Sequence, residues 1–261
     1  MSGIKWLYQN NLGKTSDEEV IKESCNKYGY EFEGIKVIPF SDEVPNIEEN
    51  KTTIYYGSTG WINKIYEKYN PSGIFFNPES IFTFWVNKYG ESCLNYGATE
   101  TTLKDFSNDD YNDDELFFIR PVSDLKEFNG GVMSFKDIRS WESKINCHNL
   151  DLGSIPIVIG EAFGISHKWR LFLVDGKVSS GSQYRTYYVL NIDENVPKNV
   201  ISFAEAQAKV YSPADVFVMD IGKSNNNLYI IEIGCFNSAG FYGSDIEKIV
   251  FDVSNFMEEL C

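Results

Sequence analysis

The sequence predicts an α+β protein whose two parts are built differently. Residues 1–90 alternate strand-like and helix-like patterns, the mark of a small α/β lobe. Beyond residue 91, apolar runs meet across tight turns such as Asp175–Gly176, which predicts antiparallel strands with helices between them. A third observation is the stretch 215–237, where the apolar runs Val216–Met219 and Leu228–Ile231 flank a turn-rich segment, Gly222–Asn227, and predict a β-hairpin.

In chain order, Lys5–Tyr8 is a first short strand. Ser16, with Glu19 three residues on, forms a capping box that opens a helix through Tyr28, and Gly29 stops it. Ile35–Phe40 and Thr53–Tyr56 are strands bounded by turn formers. A helix from Thr59 or Gly60 carries Trp61, Ile65 and Tyr66 on one face and ends before the turn Asn70–Gly73. A short strand, Ile74–Phe76, and a helix from Pro78 or Glu79 to Tyr89 complete the lobe. Core packing is the default for its aromatics Phe82, Phe84 and Trp85. Thr99–Thr102 can cap a helix or touch substrate, and Leu103–Glu115, crowded with Asp and Asn, reads as a solvated connection without calcium-loop spacing. Leu116–Arg120 is a strand ended by Pro121. Asn129–Gly131 is a turn, followed by the strand Val132–Phe135 and a helix over Lys136–Ile145. Pro156–Ile159, Trp169–Val174 and Lys177–Tyr187 are strands, and Phe203–Tyr211 and Ser244–Leu260 are helices. These patterns divide the chain into an N-terminal lobe, residues 1–92, and a second domain, residues 93–261.

Of 261 residues, 43% are hydrophobic and 15% aromatic, enough for a substantial core. The formal net charge of −15 argues against nonspecific binding to nucleic acid or anionic membrane, where Lys and Arg are needed. A nucleotide is not excluded, since it requires only a few local cations. The five cysteines are dispersed and contain no C-x-x-C, as expected of thiols buried as small hydrophobes in a reducing compartment. No signal-peptide pattern and no apolar run of about 20 residues is present, so a cytoplasmic protein is expected. His148 and His167 are too few for a His-rich zinc site.

The 215–237 hairpin delivers Asp220 and Glu232 near the ends of its two apolar runs, and Asn237 follows five residues later. Strands ~4.8 Å apart allow the two carboxylates to converge on one face. Two carboxylates and an amide oxygen are hard donors of the kind that hold Mg²⁺ jointly with substrate phosphates. The same residues equally allow solvent-facing acids and a loop asparagine. Cations stand singly where strands meet turns: Arg120, Lys126 before a glycine-containing loop, Arg170 and Arg185. Alone, each suits a surface ion pair; with the acidic hairpin they suggest a phosphate site.

This order of features resembles the ATP-grasp superfamily, over residues 115–245. The segments Phe117–Pro121 and Lys126–Gly131 are similar to the family's phosphate-contacting strand and glycine-rich flap, and Ile157–Phe163 to its hinge strand. Lys168–Val178 is similar to a segment of a small subgroup marked by two arginines and a lysine, and Ser180–Arg185 continues it. The resemblance implies an ATP-grasp fold: an N-terminal α/β lobe followed by two α+β lobes that sandwich ATP. It implies adenine-edge recognition by Glu161, Ala162 and Phe163, phosphate contacts from Arg120 and Lys126, and Arg170 and Arg185 at the transferring phosphoryl group. Metal would sit at Asp220, Glu232 and Asn237. Strand alternation then sets Val218 and Ile230 as an apolar adenine floor. Many relatives carry an acidic residue where this chain has Lys168, and an asparagine where it has Gly234. The implied activity is an ATP- and Mg²⁺-dependent carboxylate–amine ligase joining small-molecule or peptide substrates through an acylphosphate. The alternatives are a kinase on the same fold or a nucleotide-binding protein with weakened catalysis.

Overall fold

Three parallel strands pair in the order β2–β1–β3, with β1 (Ile4–Gln9) central between β2 (Glu31–Ile35) and β3 (Thr52–Tyr56). All six residues of β1 are buried, as expected of a parallel strand covered on both faces. Even Lys5 is inside, paired with Glu33 at 2.6 Å and Glu31 at 3.4 Å. The structure is a computed structural model that describes residues 3–12, 15–38, 43–46, 52–75, 82–122, 128–147 and 154–260.

Helix α1 (Thr15–Tyr28) starts one residue before the expected cap, so Ser16 lies inside its first turn. Gly29, at φ 78°, stops it. β2 lies earlier than expected, and no strand continues beyond Ile35 among the described residues. There the Asn11 side chain takes both the N–H and the C=O of Val37, so that backbone is not available for a ladder. Helix α2 (Thr59–Tyr69) ends on Asn70 in the left-handed region, φ 45°. Ile74 and Phe75 form no strand, because the Phe75 N–H is taken by the Asn237 side chain; Phe76 lies outside the described residues. Helix α3 (Phe82–Tyr89) buries Phe82 and Trp85, in line with core packing.

A four-stranded antiparallel sheet has the order β4–β7–β5–β6, from β4 (Thr99–Thr102), β7 (Pro156–Glu161), β5 (Leu116–Pro121) and β6 (Gly131–Ser134). Helices α4 (Leu103–Ser107) and α5 (Phe135–Cys147) belong to this layer. The α4 turn lies in the stretch expected to be a solvated connection. Thr102 accepts from the Asp105 N–H as its N-cap, and Leu103 and Phe106 are buried, so an i, i+3 apolar pair decides against the polar composition.

The largest sheet has the order β10–β9–β8–β11–β12, all antiparallel. It comprises β8 (His167–Val174), β9 (Lys177–Thr186), β10 (Val189–Asp193), β11 (Val216–Ser224) and β12 (Asn227–Cys235). Asp175 (φ 47°) and Gly176 (φ 69°) make the β8–β9 turn, and Asn225 and Asn226 (φ 46° and 66°) the β11–β12 turn. The latter turn is shorter than expected: Gly222–Ser224 belong to the strand. β10, an exposed edge strand, has no counterpart in the sequence reading. Helix α6 (Lys198–Val210) starts five residues early and buries Val200, Ala204 and Ala208 at i, i+4, i+8. Helix α7 (Ile246–Glu259) is capped by Asp245, which accepts from the Lys248 N–H at 2.9 Å.

One core cluster joins Trp6 and Ile54 of the first sheet to Phe172 and Val218 of the largest and to Val250 and Val253 of α7. Trp6 Nε1 donates to Ser254 Oγ at 2.9 Å across that junction. A second cluster packs α3 and α6 on the other face of the large sheet. Among the described residues no helix is long and apolar enough to cross a membrane.

Candidate active site

A cavity of about 660 Å³, within the size range of small-molecule sites, is lined from both antiparallel sheets. The four-stranded sheet contributes Phe118, Arg120, Val132 and Glu161, with the Phe128–Gly131 segment beside them. The five-stranded sheet contributes Lys168, Tyr184, Arg185, Ile231 and Glu232.

Two β-bulges decide which side chains of the large sheet reach the cavity. On β12, Glu232 pairs with Asp220 but Ile230 pairs with Ile221, leaving Ile231 as the extra residue. A bulge breaks strict alternation. Ile231 and Glu232 therefore both line the cavity, while Ile230 turns into the α3/α6 core. On β9 the same occurs at Tyr184, between the pairs Lys168–Arg185 and Trp169–Gln183, so Tyr184 and Arg185 both face the cavity.

The expected adenine floor is thereby corrected. Val218 does share a face with Asp220, but it is packed in the core with the N-terminal lobe, and Ile230 is buried on the opposite side. Apolar lining comes instead from Ile165, Phe163, Leu94 and Ile231. Glu161 and Phe163 of the expected hinge line the cavity, with Ala162 between them. Asn95 Nδ2 donates to the Glu161 carbonyl at 3.0 Å and fixes that backbone.

Asp220 and Glu232 are register partners, as the hairpin implies, yet their surroundings differ. Asp220 is 2% exposed and lies next to Arg170 on β8. Arg170 Nε and Nη2 donate to its two oxygens at 2.8 and 2.9 Å, and the Tyr184 hydroxyl donates at 3.0 Å. Burial works against the Arg170 charge, but Asp220 outweighs it and holds the guanidinium protonated above its ordinary range. Burial, then Asp220, pushes the Tyr184 hydroxyl well above its usual range, so it stays a donor. The guanidinium also lies 5.1 Å from the Tyr242 ring centroid, and Tyr242 stacks on Tyr184 at 4.8 Å. Glu232, by contrast, makes no hydrogen bond or ion pair among the described residues.

Asn237 is separated from both acids. It is fully buried, its amide oxygen accepting from the Phe75 N–H at 2.8 Å and its amide nitrogen donating to the carbonyls of Tyr55 (2.6 Å) and Gly73 (2.9 Å). As a metal donor it is corrected to a packing strut, because every polar group of the side chain is engaged. Among the described residues no cluster of three or more His, Cys, Asp or Glu could hold a metal.

Of the cations, Arg120 is buried at the cavity wall, with its guanidinium 5.0 Å over the Phe82 ring and Nε donating to the Pro121 carbonyl. Arg185 is exposed in the cavity and donates to the Tyr188 carbonyl at 2.9 Å. Lys126 lies outside the described residues. Lys168, a cavity residue that the sequence reading noted only as a departure, is half-buried; burial first and Arg185 second lower its pKa. Among the cysteines, Cys25 and Cys93 are buried thiols pushed up to about 12, and Cys235 is half-buried beside Asn237. His167 stacks on Trp169 rather than joining a metal site.

Two antiparallel sheets closing on a cavity lined with arginine, lysine and one open carboxylate define a protein built to grip a charged ligand between its layers. The chain belongs to the ATP-grasp family: residues 60–253 match an ATP-grasp domain, family 3 of the clade marked by two arginines and a lysine. No protein of curated function matches it in sequence. Among solved structures, the ATP-grasp ligase PsnB complexed with minimal precursor is 12% identical, covers 98% of this chain and 99% of its own, and superposes with a TM-score of 0.63. D-cycloserine synthetase DcsG is 10% identical over 98% and 99%, with a TM-score of 0.65. D-alanine–D-alanine ligase from Bacillus anthracis complexed with ATP is 13% identical over 99% and 98%, with a TM-score of 0.57. At these identities the likeness is one of fold.

Proposed function

We propose that the protein is an ATP- and Mg²⁺-dependent carboxylate–amine ligase that works through an acylphosphate. The observation that carries this reading is the cavity itself: within an ATP-grasp chain it sets Arg120, Lys168, Arg185 and the open carboxylate Glu232 around one apolar lining. The family and the ligases that share its fold support an ATP-dependent ligase as the enzyme class. Its partners are then a small-molecule or peptide carboxylate and an amine; PsnB, for comparison, is complexed with a precursor peptide.

The donors present fit a Mg²⁺ held by Glu232 and otherwise by phosphate oxygens and water, since Mg²⁺ is commonly bound through one or two carboxylates plus substrate phosphates. When bound, it would neutralise charge on the phosphate chain. Phosphoryl transfer leaves little covalent work for the protein, so its residues position and neutralise. Arg120 meets the phosphates from the four-stranded sheet and Arg185 from the five-stranded sheet. Asp220 and Tyr184 hold Arg170 in one orientation, which makes it a fixed positive wall. Glu161–Phe163 present their backbone to the adenine edge. The acid's carboxylate oxygen attacks the γ-phosphorus and ADP leaves; the amine then attacks the acyl carbon and phosphate leaves.

The test is ADP release with candidate acids and amines supplied singly and together. A ligase releases ADP and phosphate only when both are present. ADP with a stable phosphorylated product marks a kinase instead. A second reading, a nucleotide-binding protein with weakened catalysis, is favoured by the engagement of Asp220 and Asn237 elsewhere, which leaves one open carboxylate for metal. It predicts tight ATP binding with no turnover in the same assay.

A further inference from the structure

Lys168 reaches the cavity from β8, opposite Arg185 on β9 and opposite Gly222 on β11. Its side chain is half-buried, and among the described residues its ammonium has no hydrogen bond and no ion pair. An ammonium withdrawn from water beside a second cation is unfavourable unless a counter-charge is supplied. This chain's nearby acids do not supply it. Asp220 is held by Arg170 and Tyr184, and Glu232 acts on Lys168 only at a distance. The missing anion must come with a ligand.

The surroundings indicate which kind. A Cβ added at Gly222 would lie 2.8 Å from Ile231 Cγ2 and 3.2 Å from Ile165 Cγ2. These two isoleucines thus pack directly over bare backbone and form a flat apolar floor next to Lys168. One patch of the large sheet therefore holds an apolar floor, an adjacent pair of cations and an open carboxylate. That combination suits a ring joined to a polyphosphate, with a metal at Glu232. A simple monocarboxylate would use one cation and leave the floor bare.

We infer that Lys168 is a nucleotide-binding residue that contacts the phosphate chain from the five-stranded sheet, with Arg185 taking neighbouring oxygens. The inference rests on the reading that ATP occupies this cavity. A lysine suits the role as a compact point charge with three rotatable donors.

The experiment is calorimetric titration of wild type, Lys168→Met and Lys168→Arg with ATP, ADP and adenosine in the presence of Mg²⁺. Unliganded melting temperatures are measured beside them. Loss of one charged hydrogen bond corresponds to roughly tenfold to a hundredfold in affinity. Lys168→Met is expected to lose that factor for ATP and for ADP, to keep adenosine affinity within about twofold, and to melt no lower than wild type. Lys168→Arg should recover most of the loss, and Lys168→Gln serves in place of the methionine variant if that one fails to fold. Wild-type affinity for ATP and ADP in Lys168→Met would overturn the inference while leaving the ATP reading intact. So would an equal loss for adenosine, which would mark a structural role, or an affinity lost only for ATP with an acid substrate present. A wild type that binds neither ATP nor ADP would overturn both.

Discussion

Asp220 and Glu232 face each other across one hairpin and are one charge each, but only Glu232 has its oxygens open to the cavity. Asp220→Asn breaks a buried two-point pair with Arg170 and should cost about 3–5 kcal/mol, because it leaves the guanidinium buried without its partner. Glu232→Gln should shift stability by less than about 0.5 kcal/mol and abolish metal-dependent turnover. Urea unfolding of the two variants beside ADP release checks both; equal destabilisation would refute the division of labour. Asn237→Ala is expected to cost at least about 2 kcal/mol, since three buried backbone groups lose their partner. If that variant unfolds like wild type yet loses its metal dependence, Asn237 is a ligand after all. From sequence, its five-residue spacing from Glu232 looked like a ligand set. Nothing in that spacing reveals that Gly73 and Phe75, more than 160 positions away, claim the same amide.

At the scale of elements, hairpin order and pairing were readable because apolar runs and turn formers mark them: β8–β9 and β11–β12 fall where Asp175–Gly176 and the asparagine-rich turn place them. The bulges were not readable. Alternation counted from Glu232 points to Ile230 as its neighbour on the same face, and one extra residue in β12 replaces it with Ile231. β10 escaped for another reason: all its residues are exposed, so no buried face imprints a period on them. The α4 turn was masked by the Asp and Asn around it. Gly222 tests the element-level account, because its missing side chain is what lets Ile165 and Ile231 pack over the sheet. Gly222→Val should overpack that floor at a cost of about 1–3 kcal/mol and weaken ATP binding at least tenfold. Native ATP affinity in a folded Gly222→Val protein would show that the floor is not used.

Across the whole molecule, the first and last elements of the chain depend on each other. α7 gives Ile249, Val250, Val253 and Met257 to the core that also holds Trp6 and Ile54, and α1 packs against it. The change of pattern near residue 92 reads as a domain boundary, whereas this packing is long-range and leaves no local sign. We propose that residues 1–92 do not fold alone. A fragment of that length should lack a cooperative thermal transition, and a sharp transition would mean that the lobe is independent.

The central claim is that ATP with Mg²⁺ occupies the cavity between the two antiparallel sheets. A ligand that binds only the folded state raises its melting temperature by mass action, by about 2.7 kcal/mol at a hundred times its dissociation constant. Melting of the full-length protein with ATP, GTP or no nucleotide, each with Mg²⁺, tests it most directly. ATP should raise the transition clearly and GTP less, because the Glu161–Phe163 backbone would read the adenine edge. Equal shifts with both nucleotides, or none with either, would contradict the account.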